Sequence, residues 1–218
     1  MSINRSTLSD QIYKQLREDI ILGKLPSGKR ITMRELQDQF DISSTPVREA
    51  LTRLAQDRFV EYITNQGVRV IDLADQDVHE LLDLATLYDC YAVEKAVAHP
   101  ELGKICTLLQ DAIDRQRGYR SVNENSMKEY SVIFSEFHEI LYAFADNNWL
   151  KDNAMQANSL LFLADVRRPV NFPEEAIREH QAILDAIKAG DAALASSKMR
   201  EHHANEWYRY VHGTPVEK

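Results

Sequence analysis

The sequence is poor in the residues that staple, break or unravel a chain. Among 218 residues there are two cysteines, seven glycines and six prolines. That excludes a disulfide scaffold, a collagen-like repeat and a long flexible linker. No apolar run approaches the roughly 20 residues that span a bilayer, so a membrane protein is not expected. Residues 1–10 lack the apolar centre of a secretory signal, which leads to the expectation of a cytoplasmic protein. Cys90 and Cys106 sit in apolar, helix-like surroundings without a CxxC or Cys/His partner and read as reduced core thiols. Basic charge is also scarce overall, with a net charge of −8. The deficit is uneven, because residues 1–72 hold 11 Lys+Arg against 10 Asp+Glu and the remainder 15 against 24. The acid belongs to the second half, and the first half can still place a few arginines on one surface.

What is present is hydrophobic periodicity that changes character near residue 72. Within 9–22, Ile12, Leu16 and Ile20 recur every four residues and make the apolar seam of a helix that Gly23 ends. Pro26-Ser27-Gly28 turns the chain. Thr32 and Glu35 have the T-x-x-E spacing of a capping box, opening a short helix with Leu36 and Phe40 inward. The stretch Asp41-Ile42-Ser43-Ser44-Thr45-Pro46 is rich in cap formers and leads into a third helix over 46–57. Val47, Leu51 and Leu54 face inward there, while Thr45, Arg48 and Thr52 share an outer face. Residues 59–63 and 68–71 read as two strands joined through 64–67, with Gly67 free to take a positive φ. Three helices and a hairpin make a winged helix-turn-helix, whose third helix enters the major groove of DNA. The alternation then gives way to long amphipathic segments, read as helices at 76–98, 101–117, 124–146, 149–166, 174–189 and 191–212. The fold class is mainly α: a winged helix-turn-helix domain over 1–72 and an antiparallel helical bundle over 76–218.

Three histidines lie on or beside apolar seams of separate helices in the second half: His138, His180 and His202. One such histidine is ordinarily a satisfied core residue. Three converging in a bundle interior are how such folds hold divalent transition metals. Glu136 is about 200° around the helix from His138 and cannot join them. Leu81, Leu84, Leu87 and Tyr88, with Leu160, Leu161 and Leu163, exceed what one core needs and offer a dimer contact, with packing inside one domain as the alternative.

The segment LPSGKRITMRELQDQFDISSTPVREALTRLAQDRFVEYITNQGVRV resembles the DNA-binding domain of the GntR family of bacterial regulators. FSEFHEIL…DNN, EHQAILDAIKAGD and SKMREHH resemble the FCD effector domain of its FadR-like branch. The resemblance implies a transcription regulator rather than an enzyme, a repressor that binds double-stranded operator DNA as a homodimer and senses a small anionic metabolite. It implies DNA contacts from Arg34 and Arg48, helped by Thr45 and Gly67. Ser43, Ser44, Thr52 and Arg53 complete the candidate surface; Ser44 stands where many relatives carry Arg, and Arg53 could equally pair with Glu49. It further implies that His138, His180 and His202 hold Zn or Ni, with no organic cofactor. Relatives add an Asp four residues before the first His, and this chain has Phe134. The three histidines could therefore bind a metal with water or effector completing the shell, or bind an anion directly. Relatives also carry an effector-binding Arg on the first helix of this domain, where the nearest match is Ala85; Arg200 and Arg167 remain candidate anion partners. The competing class is a metal-dependent hydrolase or lyase using the three-His site. No motif positions a general base for it, and it leaves the winged domain unexplained.

Overall fold

The computed structural model describes residues 7–64, 66–119, 127–167 and 173–213, the side chains of 127–132, 165–167 and 173 excepted. The chain divides into two compact units, Met1–Ala74 and Asp75–Lys218.

In the first unit, helix α1 (Leu8–Ile21) starts at a capping box that Thr7 and Asp10 form reciprocally. It buries Ile12, Leu16 and Ile20 against α3. Helix α2 (Met33–Phe40) opens on the expected Thr32–Glu35 box: the Glu35 amide donates to Thr32 Oγ1 at 3.2 Å, and the Thr32 amide to Glu35 Oε2 at 2.7 Å. It stops at Asp41, whose φ of 51° is left-handed. Helix α3 (Ser44–Gln56) begins two residues earlier than expected, with Ser43 as its extended N-cap. Pro46 still falls in the first turn, where its missing N–H is not needed. Val47, Ala50, Leu51 and Leu54 are buried, and truncating either leucine to alanine costs about 2–5 kcal/mol.

The hairpin is β2 (Val60–Ile63) and β3 (Gly67–Val70), antiparallel, with Val60 opposite Val70. A two-residue strand β1 (Arg30–Ile31) joins the far edge of β3 and makes a sheet of order β1-β3-β2. Its brevity hides it from periodicity; it exists because β3 offers an open edge, with the Val70 amide donating to the Lys29 carbonyl at 3.0 Å. Gly67 takes a φ of +91°, and a Cβ there would lie 2.5 Å from the Ile31 carbonyl oxygen. Both the conformation and the close approach to β1 demand glycine.

The second unit is helical: α4 (Asp75–Val97), α5 (Leu102–Gly118), α6 (Met127–Ala143), α7 (Asn148–Arg167), α8 (Pro173–Lys188) and α9 (Ala192–His212). The part of the expected sixth helix at 124–126 lies outside the described residues. Asn147 caps α7 by accepting from the Leu150 amide, and Asp191 caps α9 by accepting from the Leu194 amide. The core runs through all six helices and includes Val93, Ile105, Leu109, Phe137, Leu141, Ile183, Leu184 and Met199. Cys90 is buried in it and Cys106 packs against it, and burial pushes both thiols up. Leu160, Leu161 and Leu163 are interior within this one chain; that corrects their reading as a dimer seam. Leu84, Leu87 and Tyr91 of α4 are exposed. Among the described residues no helix is long and apolar enough to cross a membrane.

Candidate functional site

The DNA-binding candidates fall into two groups. Arg34, in the first turn of α2, is 92% exposed with only a 3.9 Å approach to Asp38. Thr45 and Arg48 are exposed on α3, and Ser43 and Ser44 form its N-terminus. Arg48, Thr52 and Arg53 line one shallow groove with Ser9 and Glu49. Arg53, however, does not pair with Glu49 as its spacing suggested: it forms an ion pair with Asp10 of α1 and lies over the Tyr13 ring, 4.3 Å from its centroid. Tyr13 in turn donates to Asp57. Arg53 is thus an α1–α3 tie. The Thr52 hydroxyl donates to the Arg48 carbonyl at 2.8 Å and sits 3.1 Å from the Tyr62 hydroxyl. Tyr62, on β2, is exposed and fixed beside α3; the sequence reading missed it because a strand tyrosine looks like ordinary hairpin filling.

In the second unit, His138 (α6), His180 (α8) and His202 (α9) come together, with one ring nitrogen of each within 4.8 Å of the others. The tautomer of His180 follows from its neighbour. Gln116 of α5, fully buried, donates its Nε2 to the Ile133 carbonyl at 3.3 Å, so its Oε1 must accept from His180 Nδ1 at 2.9 Å. The proton is on Nδ1, and Nε2 carries a lone pair. That Nε2 is buried and has no hydrogen-bond partner among the described residues. Burial, followed by the nearby imidazoles, holds the His180 pKa well below its usual value, so the ring is neutral. Phe137 stacks on it at 4.2 Å and 8° between planes.

His202 is oriented the same way. Its Nδ1 donates to Glu179 Oε2 at 2.7 Å. Glu179 also receives both Arg209 guanidinium nitrogens, at 2.7 and 2.9 Å, and the Asn205 amide at 2.9 Å. Burial alone would raise the Glu179 carboxyl, but the His202 and Arg209 hydrogen bonds hold it down at about 2. His202 itself is lowered by burial, partly offset by Glu179. For His138, Nδ1 lies 3.0 Å from Asp89 Oδ2.

Each histidine therefore spends Nδ1 on an acceptor and keeps Nε2, which is the arrangement of metal-ligating imidazoles. A buried, partnerless ring nitrogen among three converging histidines fits a divalent transition metal, and the cluster could coordinate one. Phe134 lies edge-on to Tyr119 and brings no carboxylate. Glu136 is turned away, bound bidentately by Arg115 at 2.8 and 2.7 Å. Arg200 is exposed on α9, and the side chain of Arg167 lies outside the described residues.

In this unit Asp89, Gln116, Glu179 and His203 are residues the sequence reading missed. A signal was available for Asp89. The buried seam of α4 runs Val78, Leu82, Ala85, Asp89, Val93, Ala96, and a lone carboxylate in such a seam demands a partner. Ala85, the position matched to the relatives' arginine, is buried one turn before it.

Comparison with known proteins agrees with this architecture. The family profile described as bacterial regulatory proteins, gntR family, matches residues 8–70, and that of the FCD domain matches residues 80–205. Among curated relatives, the HTH-type transcriptional regulator YdhC of Bacillus subtilis is 24% identical over 93% of this chain and 90% of its own length. The HTH-type transcriptional repressor GlaR of Escherichia coli is 23% identical over 87% and 90%. Among solved structures, a transcriptional regulator GntR from Rhodococcus sp. RHA1 superposes with a TM-score of 0.75 at 20% identity, covering 94% of this chain and 98% of that one. E. coli McbR/YncC gives 0.74 at 19% identity over 95% and 98%. These relatives are described as regulators, not enzymes, and nothing in the histidine cluster calls for the hydrolase alternative. The chain belongs to the GntR family and is a DNA-binding transcription regulator with a ligand-binding FCD domain.

Proposed function

We propose that the protein is a homodimeric repressor whose affinity for a two-fold symmetric operator is set by a small anionic metabolite bound at a divalent metal, of the Zn or Ni class, in the helical domain. The observation that carries the reading is the partnerless Nε2 of His180, held in a fixed tautomer by Gln116 among three converging imidazoles. When bound, the ion would supply a Lewis-acidic centre for an effector carboxylate. His138, His180 and His202 would hold it, leaving positions for effector or water.

On the DNA side, Arg34 and Arg48 are offered outward while Arg53 is committed within the unit. Arg48 and Thr45 on α3 would read base edges, and Arg34 a phosphate or base. The free amides at the start of α3, beside Ser43 and Ser44, would take a phosphate. Gly67 would bring the wing backbone against the minor groove. Effector control requires differential affinity for two arrangements of the paired DNA-binding units. Relatives named as repressors, including the gluconate operon transcriptional repressor of Bacillus subtilis, favour repression and a small metabolite.

The test is selection of genomic fragments on the full-length protein, followed by binding titrations at fixed salt on the recovered site. A two-fold symmetric site, bound at least a thousandfold more tightly than random DNA and weakened in Arg48→Ala, is expected. Retention without sequence preference contradicts the reading.

A further inference from the structure

Among the described residues of the second unit Asp89 is the most deeply buried carboxylate, at 0% exposure, in a helix seam that is otherwise apolar. An aliphatic residue of similar size would be the cheaper occupant. The carboxylate instead reaches two rings with one oxygen: Oδ2 lies 3.0 Å from His138 Nδ1 and 2.7 Å from His203 Nε2. His203 rests its other nitrogen, Nδ1, on Glu206 at 3.1 Å. With an acceptor at each ring nitrogen, His203 is a doubly donating counter-ion, and it has no lone pair for a metal. The grouping of Asp89, His138 and His203 is therefore no second metal site, close as their donor atoms are.

We infer that Asp89, carried by α4 and held by His203, is a positioning residue for His138: it supplies from outside the ligand shell the carboxylate that residue 134 does not provide. The inference rests on the three-histidine centre proposed above. His138 is oriented from α4, His180 from α5 through Gln116, and His202 from its neighbour on α8, Glu179. Two of the three imidazoles thus lean on carboxylates, and one on a neutral amide. A carboxylate behind an imidazole fixes its tautomer and raises its basicity, and loss of such a partner typically weakens metal binding about 10–100-fold. One carboxylate oxygen, Oδ2, serves both rings.

The test compares wild type with Asp89→Asn, a substitution that keeps the shape and, with its amide oxygen in the place of Oδ2, can still accept from both rings while removing the charge. Zinc affinity is measured by chelator competition and the ligand shell by the visible spectrum of the cobalt-loaded protein. Expected are zinc binding weakened at least tenfold, one ion per chain in both proteins, and an unchanged cobalt spectrum. An affinity within twofold of wild type overturns the inference while leaving the metal centre standing. A changed coordination number also overturns it, because Asp89 would then be a direct ligand. A wild type that takes up no zinc overturns both readings. Nitrogen-15 histidine spectra of zinc-loaded wild type decide the matter even if the variant does not fold. His138 protonated on Nδ1 and His203 on both nitrogens is the expected pattern, and His203 coordinated through either nitrogen contradicts it.

Discussion

The two units place polar chemistry in opposite ways. The winged unit keeps an aliphatic interior and sets Arg34, Thr45 and Arg48 on its outside. The helical unit takes Asp89, Gln116, His180, His202, His203 and Arg209 inside. Exposed groups cost little to hold and make little of the fold's stability. Buried ones must be matched donor to acceptor, or they cost several kcal/mol. A reading surface can therefore change one residue at a time, while the sensing centre changes as a network.

The comparison is broken most severely at Glu179, which gathers His202, Asn205 and Arg209. Glu179→Ala removes the carboxylate that His202 and both Arg209 guanidinium nitrogens share and is expected to destabilise the helical unit by about 3–5 kcal/mol, read as a lower denaturation midpoint, with metal affinity falling as well. Stability within 1 kcal/mol of wild type would mean that the network is solvated and the contrast between units false.

The arginines of α3 sharpen it. Arg48→Ala should cost about 1–3 kcal/mol of operator affinity with an unchanged melting temperature. Arg53→Ala should do the reverse, losing about 1 kcal/mol of stability from its ion pair and ring contact with a smaller effect on DNA. Equal loss of affinity from both would place Arg53 on the DNA after all.

The smallest effect concerns acid. Hydrogen bonds from Thr7, then Arg53, lower the Asp10 carboxyl from 3.8 to about 2. Because the folded value lies below the unfolded one, its contribution is present above pH 3.8 and fades as pH falls through about 2. The stability difference between wild type and Asp10→Asn, followed by acid titration, should shrink over that window. A difference independent of pH would assign the effect to shape rather than charge.

Most of the winged unit was legible because local rules suffice there: the seam of α1, the Thr32 box, the inward face of α3 and the glycine at the hairpin tip are all short-range signals. Strand β1 and the engagement of Arg53 by Asp10 were not, since each depends on a partner distant in sequence. In the helical unit the three histidines stood out by their seams, yet the acceptors that orient two of them, Asp89 and Gln116, come from helices that periodicity marks only as apolar. Sequence spacing offers a carboxylate position only along the helix of His138, at 134 and 136, whereas packing delivers one from α4. Helix order in space, which brings α4 against α6 and α9, is the missing information.

Metal content by mass spectrometry on protein prepared without chelators, wild type beside His180→Ala, tests the central claim most directly. The account predicts about one tightly held transition-metal ion per chain in wild type and none in the variant. No ion in either protein, even after incubation with Zn or Ni and desalting, would contradict it and leave the three histidines as partners for an anion alone.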